Sequence, residues 1–140
     1  LFHLDSNWVN ALPPPGEPAS ASSGFRVLVV EDEFLVAMEL AAVLQDAGFE
    51  VVGPAATVAF ALARIHAEPP HAAILDVSLR GERVTPVAEV LLALNVPFVL
   101  ASAFEAADLA DEPSLAGARN LGKPTSPATL IDAMAGFQAR

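Results

Sequence analysis

The chain has 140 residues, 54% of them hydrophobic, which is enough for one packed core with some tail to spare. Its formal charge of −10 disfavours direct nucleic-acid binding, because displacing the counterions of a polyanion takes basic side chains. The absence of cysteine excludes disulfides and thiolate metal sites, and no apolar run is long enough for a membrane span. The start also lacks the basic residues and cleavage site of a signal peptide, so a soluble, cytoplasmic protein is expected.

Residues 1–24 differ in composition from the rest. The stretch ALPPPGEPASASSG (11–24) reads as a flexible, partly extended linker, and LFHLDSNWVN (1–10) is too short to hold a core. From Phe25 the pattern becomes regular, so a domain is expected over 25–140. VLVV (27–30) is a β-branched strand that stops at three acids. FLVAMELAAVLQDAG (34–48) has helical spacing, with Leu35, Met38, Ala42 and Leu44 or Gln45 on neighbouring faces and Gly48 as a stop. FEVVG (49–53) predicts a second strand, and Thr57 caps a helix to about Ala67. HAAILD (71–76) predicts a third strand ending in an acid. Residues 84–94 predict a helix with Pro86 in its first turn. PFVLAS (97–102) is the fourth strand, 104–117 is weakly patterned, and a short fifth strand is expected near 118–121. Ser126 caps a last helix with Pro127 at its first position and an apolar stripe of Leu130, Ile131, Met134 and Phe137.

Five β-α units in succession predict an α/β fold with a parallel sheet covered by helices on both faces. The strands are continuously apolar, as strands buried on both faces should be. In such sheets ligands gather outside the carboxyl ends of the strands. Those ends carry Glu31 and Asp32, then Asp76, then Ser102, with Lys123 after the fifth strand. Crowded carboxylates call for a cation or a raised pKa, and an all-oxygen donor set favours Mg²⁺. A lysine and a hydroxyl opposite them suit an incoming phosphoryl group, and an Asp carboxylate serves as nucleophile to form an acyl phosphate.

VLVVEDE (27–33), ILDVSLRG (74–81), FVLASA (98–103) and LGKP (121–124) together resemble the receiver domain of response regulators in bacterial two-component signalling. The spacing fits as well: Asp76 lies 44 residues after Asp32, Ser102 lies 26 further on, and Lys123 lies 21 beyond that. The resemblance implies a doubly wound, flavodoxin-like (βα)5 fold with a five-stranded parallel sheet in the order 2-1-3-4-5. It implies that Asp76 is the phosphoacceptor and that Ser102 and Lys123 assist. It implies that Asp32 binds Mg²⁺ directly, Glu31 through water, and Ser78 through its backbone carbonyl. A histidine kinase or histidine phosphotransfer protein would supply the phosphoryl group, and a downstream protein partner would read the result. Pairing of two copies of the chain is left open. The stretches 74–91 and 96–104 look most like receivers associated with kinases named for a His-Trp-Glu motif. The linker and the opening Leu fit the C-terminal receiver of a longer hybrid kinase.

Two features depart from the family pattern. The first acid is Glu31 rather than the commoner Asp. The position three before the lysine, often an aromatic that swings on phosphorylation, is Asn120, with Phe104 as a candidate substitute. Two other functions compete. One is a receiver-like binding module that works without phosphorylation. The other is a metal-dependent phosphohydrolase, which would need a second Asp where Ser78 stands. Arg80 and Arg83 are read as solvated charges, His3, His66 and His71 as surface or tail residues, and Glu33 as the start of the first helix, where negative charge is favoured.

Overall fold

The structure, a computed structural model, describes residues 24–140. The linker and tail expected at 1–24 therefore lie, except for Gly24, outside the described residues.

Strand β1 (Arg26–Val30) is flanked by β2 (Glu50–Ala55) and β3 (Ala72–Leu75), and β3 by β6 (Phe98–Leu100), all parallel, in the order β2-β1-β3-β6. Helices α1 (Phe34–Asp46), α2 (Val58–Ala67), α3 (Thr85–Ala93), α4 (Pro113–Ala116) and α5 (Pro127–Gln138) connect or follow them. Two-residue strands β4 (Ser78–Leu79) and β5 (Glu82–Arg83) form a small antiparallel hairpin after β3. Alternation along β1 sends successive side chains to opposite faces. Val27 and Val29 pack with Leu40 and Leu44 of α1 and Leu130 and Met134 of α5. Leu28 and Val30 pack on the other face with Ile65 of α2, Leu91 of α3 and Leu115 of α4. The caps fall where the sequence places them. The Thr57 hydroxyl accepts from Phe60 N–H at 3.1 Å, and the Ser126 hydroxyl from Thr129 N–H at 3.4 Å.

Two details differ from expectation. Helix α1 is rotated relative to the predicted face: Ala37, Leu40, Ala41 and Leu44 are buried, whereas Leu35 and Met38 face solvent. The stripe 37/40/41/44 is the true 3.6-residue seam, and the apolar residues at 34, 35 and 38 lie off it. The fifth strand is reduced to one parallel bridge, Leu100 to Asn120, held by Leu100 N–H to Arg119 O and Leu121 N–H to Leu100 O, both 2.8 Å. Ala118 and Asn120 within this segment are poor strand formers, and Gly117 and Gly122 bracket it. The stretch 104–117 contains a 3-10 turn (Ala106–Leu109) and the four-residue α4, which starts at Pro113. Gly53, next to a cis Gly53-Pro54 bond, has φ +91°, and a Cβ there would lie 2.8 Å from Ala55 N, so glycine is required at this bend of β2. No described helix is long and apolar enough to cross a membrane.

Candidate functional site

The parallel register sets the site. Val30 pairs with Leu75, and Leu75 with Leu100, so the residues that follow each strand emerge side by side at one edge. Glu31 N–H donates to Ala55 O (2.9 Å), Asp76 N–H to Val30 O (2.8 Å) and Ala101 N–H to Leu75 O (2.9 Å), which carries the ladder into the site. Glu31, Asp76 and Ser102 are the buried polar residues of the described chain. Carboxylate oxygens of Glu31, Asp32 and Asp76 lie within 4.8 Å of one another.

The hairpin loop fixes Asp32. Arg80 (φ +52°) and Gly81 (φ +83°) make a two-residue turn with both residues left-handed, the geometry that suits strand twist in tight hairpins. The turn aims Arg80 N–H at Asp32 Oδ2, 2.8 Å away. Burial pushes the Asp32 carboxyl up, but this N–H and its other hydrogen bonds outweigh it, and the net result lies below the ordinary carboxylate value. Ser78 heads the hairpin, two residues past Asp76.

Lys123 enters from the loop after the Asn120 bridge. Gly122 (φ +88°) and a hydrogen bond from the Thr125 hydroxyl to Gly122 O (2.7 Å) fold this loop, and the Lys123-Pro124 bond is cis. The Lys123 ammonium lies 3.2 Å from Asp76 Oδ2, 3.2 Å from Glu31 Oε1 and 2.9 Å from Glu33 Oε1. One ammonium thus faces several carboxylates. Partial burial alone would lower the lysine's pKa, yet these carboxylates hold it well above the ordinary value. Glu31 goes the other way. Burial, with Asp76 nearby, raises it to about 7, against hydrogen bonds from Glu33 N–H (3.0 Å) and from Lys123. Glu31 Oε1 is buried without a hydrogen-bond partner. Its ion-pair partner is the Lys123 ammonium. A buried carboxylate oxygen with no hydrogen bond, beside two further carboxylates and with no His or Cys among them, fits a hard divalent cation.

Ser102 and Lys123 line one open hollow of about 440 Å³, which Phe104 and Asn120 also border. The Ser102 hydroxyl accepts from Phe104 N–H (2.9 Å), so its own hydrogen is free to donate. The Asn120 carboxamide accepts from Ser102 N–H and Gly122 N–H and donates to the carbonyls of Ser102 and Phe104, at 2.9–3.1 Å. The Phe104 ring lies under the Arg83 guanidinium, 4.7 Å from its centroid, and Arg83 pairs with Glu112 at 3.3 Å.

The structure thus gathers Glu31, Asp32, Asp76 and Lys123 directly, and Ser102 beside Lys123. Sequence reasoning missed two contacts. Glu33, expected only to begin α1, also holds Lys123. Its position two residues after Glu31 was the available signal. Arg83, read as solvated, is engaged by Glu112 and Phe104. Nothing local in the sequence announces a partner so far along the chain. His66 and His71 are at the surface as expected, and His71 Nδ1 accepts from Arg26 N–H (2.9 Å).

A βα sheet with acids after its first and third strands, a serine after the fourth and a lysine after the bridge that stands for the fifth defines a class. The family model for the response regulator receiver domain matches residues 27–135. The chain belongs to the response regulator receiver family, a group of phosphoryl-accepting signalling switches. It is 36% identical over 124 residues to the transcriptional regulatory protein PdtaR of Mycobacterium tuberculosis; the match covers 86% of this chain and 60% of PdtaR, so the chain spans well under the relative's full length. A structure assigned as a response regulator of Chloroflexus aurantiacus is 30% identical, with a TM-score of 0.71, covering 84% of this chain and all of the other. The receiver domain of PhyR from Erythrobacter litoralis has a TM-score of 0.73 at 24% identity, covering 83% and 91% of the two chains, and shows the shared fold.

Proposed function

We propose that Asp76 accepts a phosphoryl group from a phosphohistidine on a histidine kinase or phosphotransfer protein and that the resulting acyl phosphate alters the surface offered to a protein partner. The observation that supports this most is the meeting of Asp76 with Glu31, Asp32 and Lys123 at one sheet edge, with the Lys123 ammonium 3.2 Å from Asp76 Oδ2. An Asp76 carboxylate oxygen attacks phosphorus, the P–N bond to the donor imidazole breaks, and the imidazole leaves as the neutral ring after protonation. Lys123 neutralises charge on the transferred group, and the Ser102 hydroxyl donates to one of its oxygens. Glu31, Asp32, Asp76 and the Ser78 carbonyl would hold Mg²⁺, which when bound supplies charge neutralisation for the phosphoryl oxygens. A phosphohydrolase reading gains no support, since Ser78 occupies the place of its acid/base Asp. The reading places the chain in the cytoplasm, where ATP-charged donors are made, with a kinase of the His-Trp-Glu type as the donor. Incubated with Mg²⁺ and acetyl phosphate, the protein should gain the mass of one phosphoryl group and Asp76→Asn none. Equal labelling of Asp76→Asn sinks the assignment.

The donor needs a surface on which to rest. Phe34 and Leu35 are each 73% exposed at the start of α1, directly after Glu33, which touches Lys123. Large apolar side chains held in water beside an acidic site fit a partner's apolar helix face. Covering two of them is worth about 1–2 kcal/mol of partial burial, so Phe34→Ala with Leu35→Ala should slow transfer from a phosphohistidine donor by roughly tenfold. Uptake from acetyl phosphate should be unchanged. A parallel loss with both donors would show that the change damages the site instead.

A further inference from the structure

We propose that Asn120 is the positioning residue that couples phosphorylation of Asp76 to the surface around Arg83, using a hydrogen-bonded carboxamide where a receiver would otherwise use a moving ring. The inference rests on the reading of Asp76 as phosphoacceptor. A side-chain amide offers two acceptor sites and two donor hydrogens. In Asn120 all four are engaged, and every partner is a main-chain group. A continued parallel strand would meet the N–H and C=O of Ser102 with two of its residues, as Arg119 and Leu121 meet those of Leu100; here one side chain meets both. The fifth strand stops at one bridge, and this side chain supplies the following rung.

The remaining bonds give the rung its consequence. Asn120 Oδ1 also accepts from Gly122 N–H, so the amide ties Ser102 to the loop that carries Lys123. Its Nδ2 donates to Phe104 O while the Ser102 hydroxyl holds Phe104 N–H. Residue 104 is clamped on both sides, by the Ser102 hydroxyl and by the Asn120 amide. Its ring lies under Arg83, which reaches Glu112, and Glu112 in turn accepts from the Thr85 hydroxyl at the head of α3. When donation to a phosphoryl oxygen draws Ser102 Oγ itself towards the site, its bond from Phe104 N–H must break or the 102–104 segment must follow. With Asn120 holding Ser102 and Phe104 together the segment follows as a unit, and Phe104 shifts under Arg83. Binding at the site thereby biases two arrangements of a connected element, the physical requirement for coupling. A merely structural amide would change stability and leave this transmission intact.

The test is ¹⁵N NMR of the full chain with Mg²⁺, before and after adding beryllofluoride as a phosphoryl mimic. In the native protein the Ser102 and Phe104 amides, the Asn120 Nδ2 pair and the Arg83 Nε–H should all shift. In Asn120→Ala the mimic should still shift the Asp76 and Ser102 amides, while the Arg83 Nε response is lost. If Asn120→Ala does not fold, Asn120→Asp keeps both acceptor bonds, lacks both donor bonds and should show the same loss. An undiminished Arg83 response in either folded variant overturns the proposal. So does a native protein in which Ser102 responds and Arg83 does not. A native protein with no response at Asp76 or Ser102 would instead count against the phosphoacceptor reading itself.

Discussion

Replacing Lys123 with methionine should reduce phosphoryl uptake from acetyl phosphate by about 10²–10³-fold, the usual cost of removing one group aimed at developing charge. The ammonium sits against Asp76, Glu31 and Glu33 at 2.9–3.2 Å, and no other cation lies within ion-pair distance of these three among the described residues. Methionine preserves most of the stem's volume and removes only the charge and its donors. The carboxylates left behind repel one another, and two of them, Glu31 and Asp76, are buried. Breaking a fully buried pair costs about 3–5 kcal/mol, but the Lys123 side chain is 21% exposed, so a loss of about 2 kcal/mol is expected in the metal-free protein. Excess Mg²⁺ should recover much of that stability while uptake stays low. Uptake rates measured by intact mass beside denaturant melts with and without Mg²⁺ separate the two effects. Normal uptake in Lys123→Met would remove the lysine from the chemistry.

The site was more legible in the sequence than the surfaces that surround it. Glu31, Asp32, Asp76 and Ser102 were readable because each follows an apolar run, and parallel register obliges strand ends to emerge together. Lys123 was readable only through its distance from Ser102 and the proline behind it, since its strand leaves almost no pattern of its own. That weakness has a physical cause: the segment at 118–121 makes one main-chain bridge and depends on the Asn120 side chain for the next. Propensity reports on main-chain ladders and is silent about a side chain that imitates one. Helix α1 misled for a different reason. Its apolar residues nearly encircle it, so spacing alone could not tell the buried 37/40/41/44 seam from Phe34, Leu35 and Met38, which face water. The Arg83–Phe104 contact joins loops that come together only once the fold is formed, and no local rule anticipates it.

The metal-free protein should lose stability as the pH rises from about 5 to 8, and Glu31→Gln should abolish most of that loss. Glu31 is raised to about 7 in the folded protein, chiefly by burial, whereas in the unfolded chain it titrates at the ordinary carboxylate value near 4.3. Between those values the folded state holds a proton that the unfolded state has released, so the unfolding free energy falls with increasing pH. A shift of this size corresponds to at most about 4 kcal/mol by pH 8. The neighbours do not blur the window. Asp32 is lowered, so its contribution is complete above the ordinary carboxylate range and is lost only as the pH falls below it. Lys123 is raised, so its contribution is fully present below the ordinary lysine value and is lost only as the pH rises towards its own. Mg²⁺ requires the ionised carboxylates and so opposes the loss: at 100 times its dissociation constant it adds about 2.7 kcal/mol, and its apparent affinity should rise with pH through 7. Glu31→Gln removes the buried charge, so this variant should be more stable than the native protein at pH 8 without metal and gain less from Mg²⁺. Urea melts of both proteins at several pH values decide the matter. Parallel stability profiles would mean that Glu31 is not the strained group, and that the carboxylates tolerate their crowding without a cation.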